Sequence, residues 1–328
     1  MPVLADANAP KSAPAMMPGK VDILRKCFPF MGKELFLEIG NGTQSLILRR
    51  IKENSGMTWC KIAKIMKVDR SRVFQYLGET SRLPFYRLTK LCKETGYDRR
   101  KFGGIRRVYL VCNGKKEILK PKLDEELSEF LGAMAGDGNI YWKNYAITIT
   151  CSAVVDYNYA AEIIRNKFQK LFGLMPKIRI FGNAVQCRAY SKSLATFLNR
   201  KFEFPVGNRK NRMFIPGKIA GNKKFLIAYL RGLFDTDGSF HRKRERSGVV
   251  EYISCSKGFL QQIREALESL GFSICLSGKS AYIYGQKQVE MFFKVIKPNN
   301  SKHCIKFRVF KETGKVPANA EFIKATVV

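Results

Sequence analysis

Apolar residues at Leu123, Leu127, Phe130, Leu131 and Met134 stand at helical offsets, so the pattern predicts an α-helix with one buried face. The helix ends in "FLGAMAGDGNI" (130–140), and a closely similar stretch, "LRGLFDTDGSF" (230–240), follows 100 positions later. Gly132 aligns with Gly232, Asp137 with Asp237 and Gly138 with Gly238. The likeness continues downstream, where "ITITCS" (147–152) resembles "EYISCS" (251–256). Both lead into helical patterns, "YAAEIIRNKFQKLFG" and "FLQQIREALESLG", which stop at Gly173 and Gly271. Two β-rich segments follow in each half, "KIRIFG" with "AVQCRAYS" and "FSICLSG" with "SAYIYG". A closing helical segment ends each half, "SLATFLNRKF" and "QVEMFFKVIK". The prediction is an α+β chain with an αββαββα unit used twice, over 122–215 and 216–312.

The pattern upstream is different. "SLILRRIKENSG", "TWCKIAKIMKV", "RSRVFQYLG" and "PFYRLTKLCKETG" are short amphipathic runs divided by brief turns, which predicts a small all-α domain over 21–100. Residues 101–121 read as a hairpin linker, with Asn113-Gly114 as a type I′ turn. Pro121 ends it, and Asp124, Glu125 and Glu126 favour the first turn of the next helix. The Pro/Ala-biased residues 1–20 are expected to be a disordered arm, and 313–328 a C-terminal tail.

Charge changes the picture. The chain has 328 residues, 45% of them apolar, yet 59 Lys+Arg against 27 Asp+Glu leave a net charge of +32. That excess points to a polyanion partner, with nucleic acid ahead of a membrane surface. No apolar run approaches the roughly 20 residues that span a bilayer, and the best, "FLIAYLRGLF", is broken by Arg231. Nine cysteines without a C-x-x-C pair, accompanied by two histidines, argue against a zinc site and a disulfide framework. The N-terminus lacks a continuous apolar core, so the expected location is intracellular (cytoplasm, nucleoid or organelle) and not secreted.

The repeated Gly-x-x-x-x-Asp-Gly carries the chemistry. Gly132 and Gly136 lie four apart, as do Gly232 and Thr236, and small residues at this spacing let two helix backbones approach closely. Packing along these stripes brings Asp137 and Asp237 together at two negative helix ends. Either a shared proton or a divalent cation relieves their repulsion. Carboxylate oxygens, with the backbone carbonyls of Gly136 and Thr236, are hard ligands suited to Mg²⁺, Mn²⁺ or Ca²⁺. In a strongly basic protein this points to metal-assisted phosphodiester hydrolysis.

These residues resemble the paired motifs of the LAGLIDADG homing endonuclease family in its single-chain, two-motif form, over about 120–312. Ala135 stands where the usual first Asp of motif one would be, and Leu131 and Arg231 replace the usual alanine. The resemblance implies that the motif helices form the interface between pseudo-symmetric halves, with a saddle of β-sheets over double-stranded DNA. It implies metal binding by Asp137 and Asp237, with Mg²⁺ as cofactor, Mn²⁺ able to substitute and Ca²⁺ able to bind without supporting cleavage. It also implies one basic residue per half near the cleaved phosphate. Lys306 matches best in the second half, with Lys302 next; Lys210 and Arg212 compete in the first. Asp235, opposite Ala135, is expected to be dispensable to the chemistry.

Alternation places Gln186, Arg188 and Tyr190 on the outward side of one predicted strand, opposite Val185, Cys187 and Ala189, and Lys177 and Arg179 on the outward side of another. Arg242, Lys243 and Arg244 sit near a predicted hairpin tip. Such ribbons can read bases and hold phosphates. "TWCKIAKIMKVDRSRVFQY" resembles a phage-repressor helix-turn-helix, with Thr58, Ile62, Ala63, Val68 and Val73 packing the two helices. The recognition helix would start near Arg70, with Ser71, Arg72 and Gln75 facing the groove. Lys67 stands where that turn usually has glycine. The leading expectation is a monomeric, metal-dependent, site-specific DNA endonuclease. Alternatives are a transcription regulator on the same fold without nuclease chemistry, and an intron RNA maturase with RNA as partner. Intein self-splicing is disfavoured by the Met-Pro start and the absence of a terminal His-Asn.

Overall fold

The computed structural model describes residues 36–98, 109–111, 118–244 and 247–318. The expected arm 1–20, the Asn113-Gly114 turn and most of the tail lie outside the described residues. In the N-terminal part, β1 (Phe36–Glu38) precedes four helices, α1 (Thr43–Ser55), α2 (Trp59–Met66), α3 (Arg70–Leu77) and α4 (Phe85–Glu94). The sequence predicts an all-α part, and the structure corrects this: β1 pairs antiparallel with β2 (Tyr109–Val111), and β2 with β3 (Ile118–Leu119). A three-residue strand gives too short an alternation to register as a pattern, and its partner lies some 70 residues away.

Two units follow. The first contains α5 (Glu125–Asp137), β4 (Gly138–Ile140), β5 (Ala146–Ser152), a π-helical turn (Tyr159–Ile164) running into α6 (Arg165–Phe172), β6 (Lys177–Phe181), β7 (Ala184–Tyr190) and α7 (Lys192–Phe202). The short α8 (Gly217–Ala220) leads to the second: α9 (Lys223–Asp237), β8 (Gly238–Arg244), β9 (Ser247–Ile253), α10 (Lys257–Ser269), β10 (Ile274–Ser277), β11 (Ser280–Ile283), α11 (Gln286–Ile296) and α12 (Ser301–Thr313). The sheets have matching antiparallel orders, β4-β5-β7-β6 and β8-β9-β11-β10. The αββαββα unit therefore occurs twice in an α+β fold.

The register corrects one detail of the repeat. Gly138 pairs with Ile149 and Gly238 with Tyr252, so Thr148 corresponds to Glu251 and Cys151 to Ser254. Matching Cys151 with Cys255 slips the alignment by one residue, and such a slip moves every side chain to the other face. The burial agrees: Cys151 is buried within β5, while Cys255 is exposed beyond β9. The second half also has a helix the sequence did not reveal. The face that α12 buries carries His303, Lys306 and Phe310, so it shows no apolar stripe.

The motif helices are set by local chemistry. The Asp124 side chain accepts from Leu127 N at 2.9 Å and caps α5, whose first turn holds Glu125 and Glu126. Asn222 caps α9 by accepting from Lys224 N and Phe225 N. The two helices then pack backbone to backbone. A Cβ at Gly132 would overlap the Tyr229 carbonyl, and one at Gly232 would overlap the Glu129 carbonyl. Aromatic clusters pack the pair against later helices, with Phe130 edge-on to Phe168 and Phe172 of α6 in one half and Phe234 edge-on to Phe292 of α11 in the other.

Candidate metal centre and nucleic-acid surfaces

Both motif helices stop at their aspartates because the next residue, Gly138 or Gly238, is already the first of a strand. Asp137 and Asp237 thus stand at adjoining helix C-termini, where backbone carbonyls concentrate negative charge. Burial pushes the Asp137 carboxyl up to about 7, and Asp237 and Asp156 push in the same direction, against Lys302 and Arg209. Burial also raises Asp237 to about 6, opposed by Arg209 and Lys302. Paired, largely desolvated carboxylates are under electrostatic strain that a cation relieves. The Cys151 thiol is hydrogen-bonded to Asp137, and burial beside that carboxylate raises its pKa.

A hard divalent cation fits the donor set in kind. Among the described residues there is no cluster of three or more His, Cys, Asp or Glu side chains able to hold a metal. The two aspartates would therefore need carbonyl, water or phosphate oxygens to complete a shell, which Mg²⁺ and Ca²⁺ readily accept.

The cations whose fields reach both carboxylates are Lys302 and Arg209. Arg209 lies between Asn208 and Lys210 and was not singled out by the sequence. Its guanidinium donates to the carbonyls of Met134 (3.1 Å), Ala135 (3.0 Å) and Gly136 (2.5 Å), closing the negative end of α5. Lys210 is exposed, and Arg212 donates to the Asn208 carbonyl at 3.0 Å. Lys302 ion-pairs with Asp156 of the first half at 2.9 Å. Lys306 is buried, and its pKa is lowered by burial first and by Lys302 second. A shared spacing could have found Arg209: it follows Pro205 by four residues, as Lys302 follows Pro298.

Asp235 is committed to structure. Its carboxylate accepts from the backbone N–H groups of Asn299 and Asn300, each at 3.0 Å, which ties the start of α12 to the last turn of α9. Asn300 Nδ2 also donates to Asp156 Oδ1 at 2.6 Å, and Asn299 Nδ2 to Glu129 Oε1 at 2.7 Å. Buried Glu129 pairs with Lys167 and with Arg231, whose Nε reaches the Ile296 carbonyl. These two networks bridge the halves. Asp235→Ala strips partners from one buried and one part-buried N–H group, so a loss of about 2–4 kcal/mol is expected in urea unfolding.

The outward residues have separate settings. On β7, Val185, Cys187 and Ala189 are buried, while Gln186, Arg188 and Tyr190 lie half-buried on the other side. Arg188 donates to Gln186 Oε1 at 2.7 Å, and its hydrogen bond lowers the Tyr190 pKa. Lys177 and Arg179, exposed on β6, pair across the ladder with Arg188 and Gln186. In the second sheet Arg242 and Lys243 are exposed on β8, and Lys243 Nζ donates to Tyr284 OH at 2.8 Å. Arg244 ends β8. Tyr282 and Tyr284, stacked with centroids 5.5 Å apart, were not picked out by the sequence. On α3, Arg70, Ser71, Arg72 and Gln75 are all exposed, while Val73 packs inward. Lys67 takes a left-handed φ of 53° between α2 and α3, the conformation that favours glycine there. Thr58 is exposed and caps α2, accepting from Lys61 N at 3.3 Å, where the sequence reading had it packing the helices.

Residues 224–297, which hold the whole of α9 beyond its first residue and the second sheet, match the family of the LAGLIDADG-like domain. The chain is 28% identical over 179 residues to the DNA-directed RNA polymerase subunit Rpo1C of Methanocaldococcus jannaschii, a match covering 52% of this chain and 19% of that protein. The chain therefore spans under a fifth of that relative's length. Similar solved structures include I-DmoI in complex with DNA and Mn (19% identity, TM-score 0.39, 53% of this chain and 97% of that one). The N-terminal LAGLIDADG domain of WhiA is another (17%, TM-score 0.39, 56% and 87%), as is full-length WhiA from Thermatoga maritima (16%, TM-score 0.41, 63% and 67%). No described helix is long and apolar enough to cross a membrane.

Proposed function

We propose that this LAGLIDADG chain is a divalent-metal-dependent, site-specific DNA endonuclease. The observation that carries the reading is the meeting of Asp137 and Asp237 at the ends of a close-packed helix pair, both raised by burial, in a chain of net charge +32. Among the similar solved structures, the homing endonuclease I-DmoI is bound to DNA with Mn, Mg or Ca. A bound Mg²⁺ or Mn²⁺ would polarise the phosphate and lower the pKa of water. Asp137 and Asp237, with the Gly136 and Thr236 carbonyls, would hold that cation. Arg209 and Lys302 would offset charge on the phosphate, and burial of the helix ends limits competing water. Lys177, Arg179, Gln186, Arg188, Tyr190, Arg242, Lys243 and Arg244 would contact the duplex. In the same reading, residues 21–100 form a separate DNA-binding domain with Arg70, Ser71, Arg72 and Gln75 toward a groove.

The test is cleavage of a plasmid library containing the gene's own flanking sequence, in Mg²⁺, across a salt series. The expected product is a defined double-strand break at salt concentrations where binding persists. Specific binding without any cleavage would transfer the assignment to a DNA-binding protein on the same fold.

A further inference from the structure

The two helix ends match in backbone but not in what covers them. At the end of α5, the Arg209 guanidinium spans three carbonyls, ending on Gly136 O at 2.5 Å. At the end of α9, no described side chain donates to the Thr236 carbonyl. The corresponding cation, Lys302, is turned to the Asp156 carboxylate at 2.9 and 3.1 Å. The nearby Asn300 Nδ2 donates one position earlier, to the Asp235 carbonyl at 3.0 Å. The carbonyl next to Asp137 thus already carries a cation, and the one next to Asp237 does not.

We propose that Arg209 is a latch on the metal position of the first half, so that the helix pair takes a divalent cation at its Asp237 end first. The inference rests on the metal reading of the two aspartates given above. A divalent cation at Asp137 competes with the guanidinium for the Gly136 oxygen. A planar guanidinium also matches a phosphate oxygen pair better than it matches carbonyls along a helix end. An arriving DNA phosphate draws Arg209 off the carbonyls and opens the first position. DNA binding and loading of the Asp137 end are therefore coupled, and the coupling is reciprocal.

The experiment is Mn²⁺ binding to the full chain without DNA at pH 8, followed by electron paramagnetic resonance and calorimetry. The parent should show one tight site, which Asp237→Asn removes and Asp137→Asn leaves in place. Arg209→Ala should add a second site, tightened about tenfold or more over the parent's weaker one, and Asp137→Asn in the same chain should remove it. Arg209→Gln, which removes the charge and is too short to span the three carbonyls, serves if circular dichroism shows that the alanine variant does not fold; it should show the same second site, and its absence counts against the latch equally. Two equal sites in the parent, a single site lost with either aspartate, or an unchanged Arg209 variant would overturn the latch. Complete absence of Mn²⁺ binding in the parent would instead overturn the metal reading beneath it.

Discussion

Asp137→Asn or Asp237→Asn is expected to lower the proposed Mg²⁺-dependent cleavage by about a thousand-fold or more, while making the metal-free protein more stable at pH 8. The first effect follows from the size of metal assistance. Loss of a carboxylate that holds the cation forfeits several kcal/mol of charge stabilisation, at roughly 1.4 kcal/mol per tenfold in rate. The second follows from the raised carboxyls, about 7 for Asp137 and about 6 for Asp237. An unfolded chain releases these protons near pH 4, whereas the folded chain keeps them until pH 6–7. Between those limits the folded state holds more protons, so stability is fully present below the unfolded pKa and lost as pH rises.

Asparagine cannot ionise, so the variant escapes that loss. Its advantage should be absent near pH 4, grow through pH 5–7 and level at about 2–4 kcal/mol above pH 8 in EDTA, read by urea unfolding. The two single gains should not add, because the Asp237 carboxylate contributes to the field that raises Asp137. Saturating Mg²⁺ should reverse the ranking, since a cation bound to the folded state stabilises the parent. A functional site that strains the fold yields this pair of opposite signs. Aspartates that merely ended two helices would lose activity in no assay and gain little from amidation.

The repeat was legible because it rests on two periodic signals, apolar spacing at helical offsets and the recurrence of Gly-x-x-x-x-Asp-Gly after 100 residues. Both helix ends came from those signals, and the partition of β7 into buried and outward sides came from its strict alternation. The strand register did not, because an identical residue type, Cys151 against Cys255, outweighed the period of two that decides the face. Helix α12 was hidden by its polar buried face, and the partners that explain it, Asp156 and Asp235, lie 144 and 65 residues from Asn300. Arg209 was missed for a related reason. The resemblance drew attention to the basic residues before Ile215-Pro216, whereas the decisive contacts are with carbonyls 73 to 75 residues earlier, which leave no trace in side-chain pattern. Arg231 read as a departure from the motif; its buried partner Glu129, 102 residues away, accounts for it.

Gly232→Ala tests the closeness of the helix pair, and its sign is opposite to that of the same change elsewhere. In an ordinary helix interior, alanine is favoured over glycine by about 0.8–1.0 kcal/mol. Gly258, near the start of α10, has no atom within 4 Å of an added Cβ, so Gly258→Ala should stabilise the protein by about 0.5–1 kcal/mol. At Gly232 the same methyl would overlap the Glu129 carbonyl oxygen and lie 2.8 Å from Ala133 N. Both are backbone atoms of α5 and cannot turn away as a side chain would. The helices must separate, which opens the interface that seats Glu129 against Arg231 and Asn299 and loosens the pairing of Asp137 with Asp237. A net loss of about 3 kcal/mol or more is expected in urea unfolding, against a gain for Gly258→Ala. Cleavage and Mn²⁺ binding should fall even at temperatures where Gly232→Ala remains folded, because the proposed ligands, Asp137 and Asp237, sit at the foot of that interface. If Gly232→Ala matched Gly258→Ala in sign, the close backbone contact would not exist in solution, and the convergence of the two aspartates would lose its structural basis.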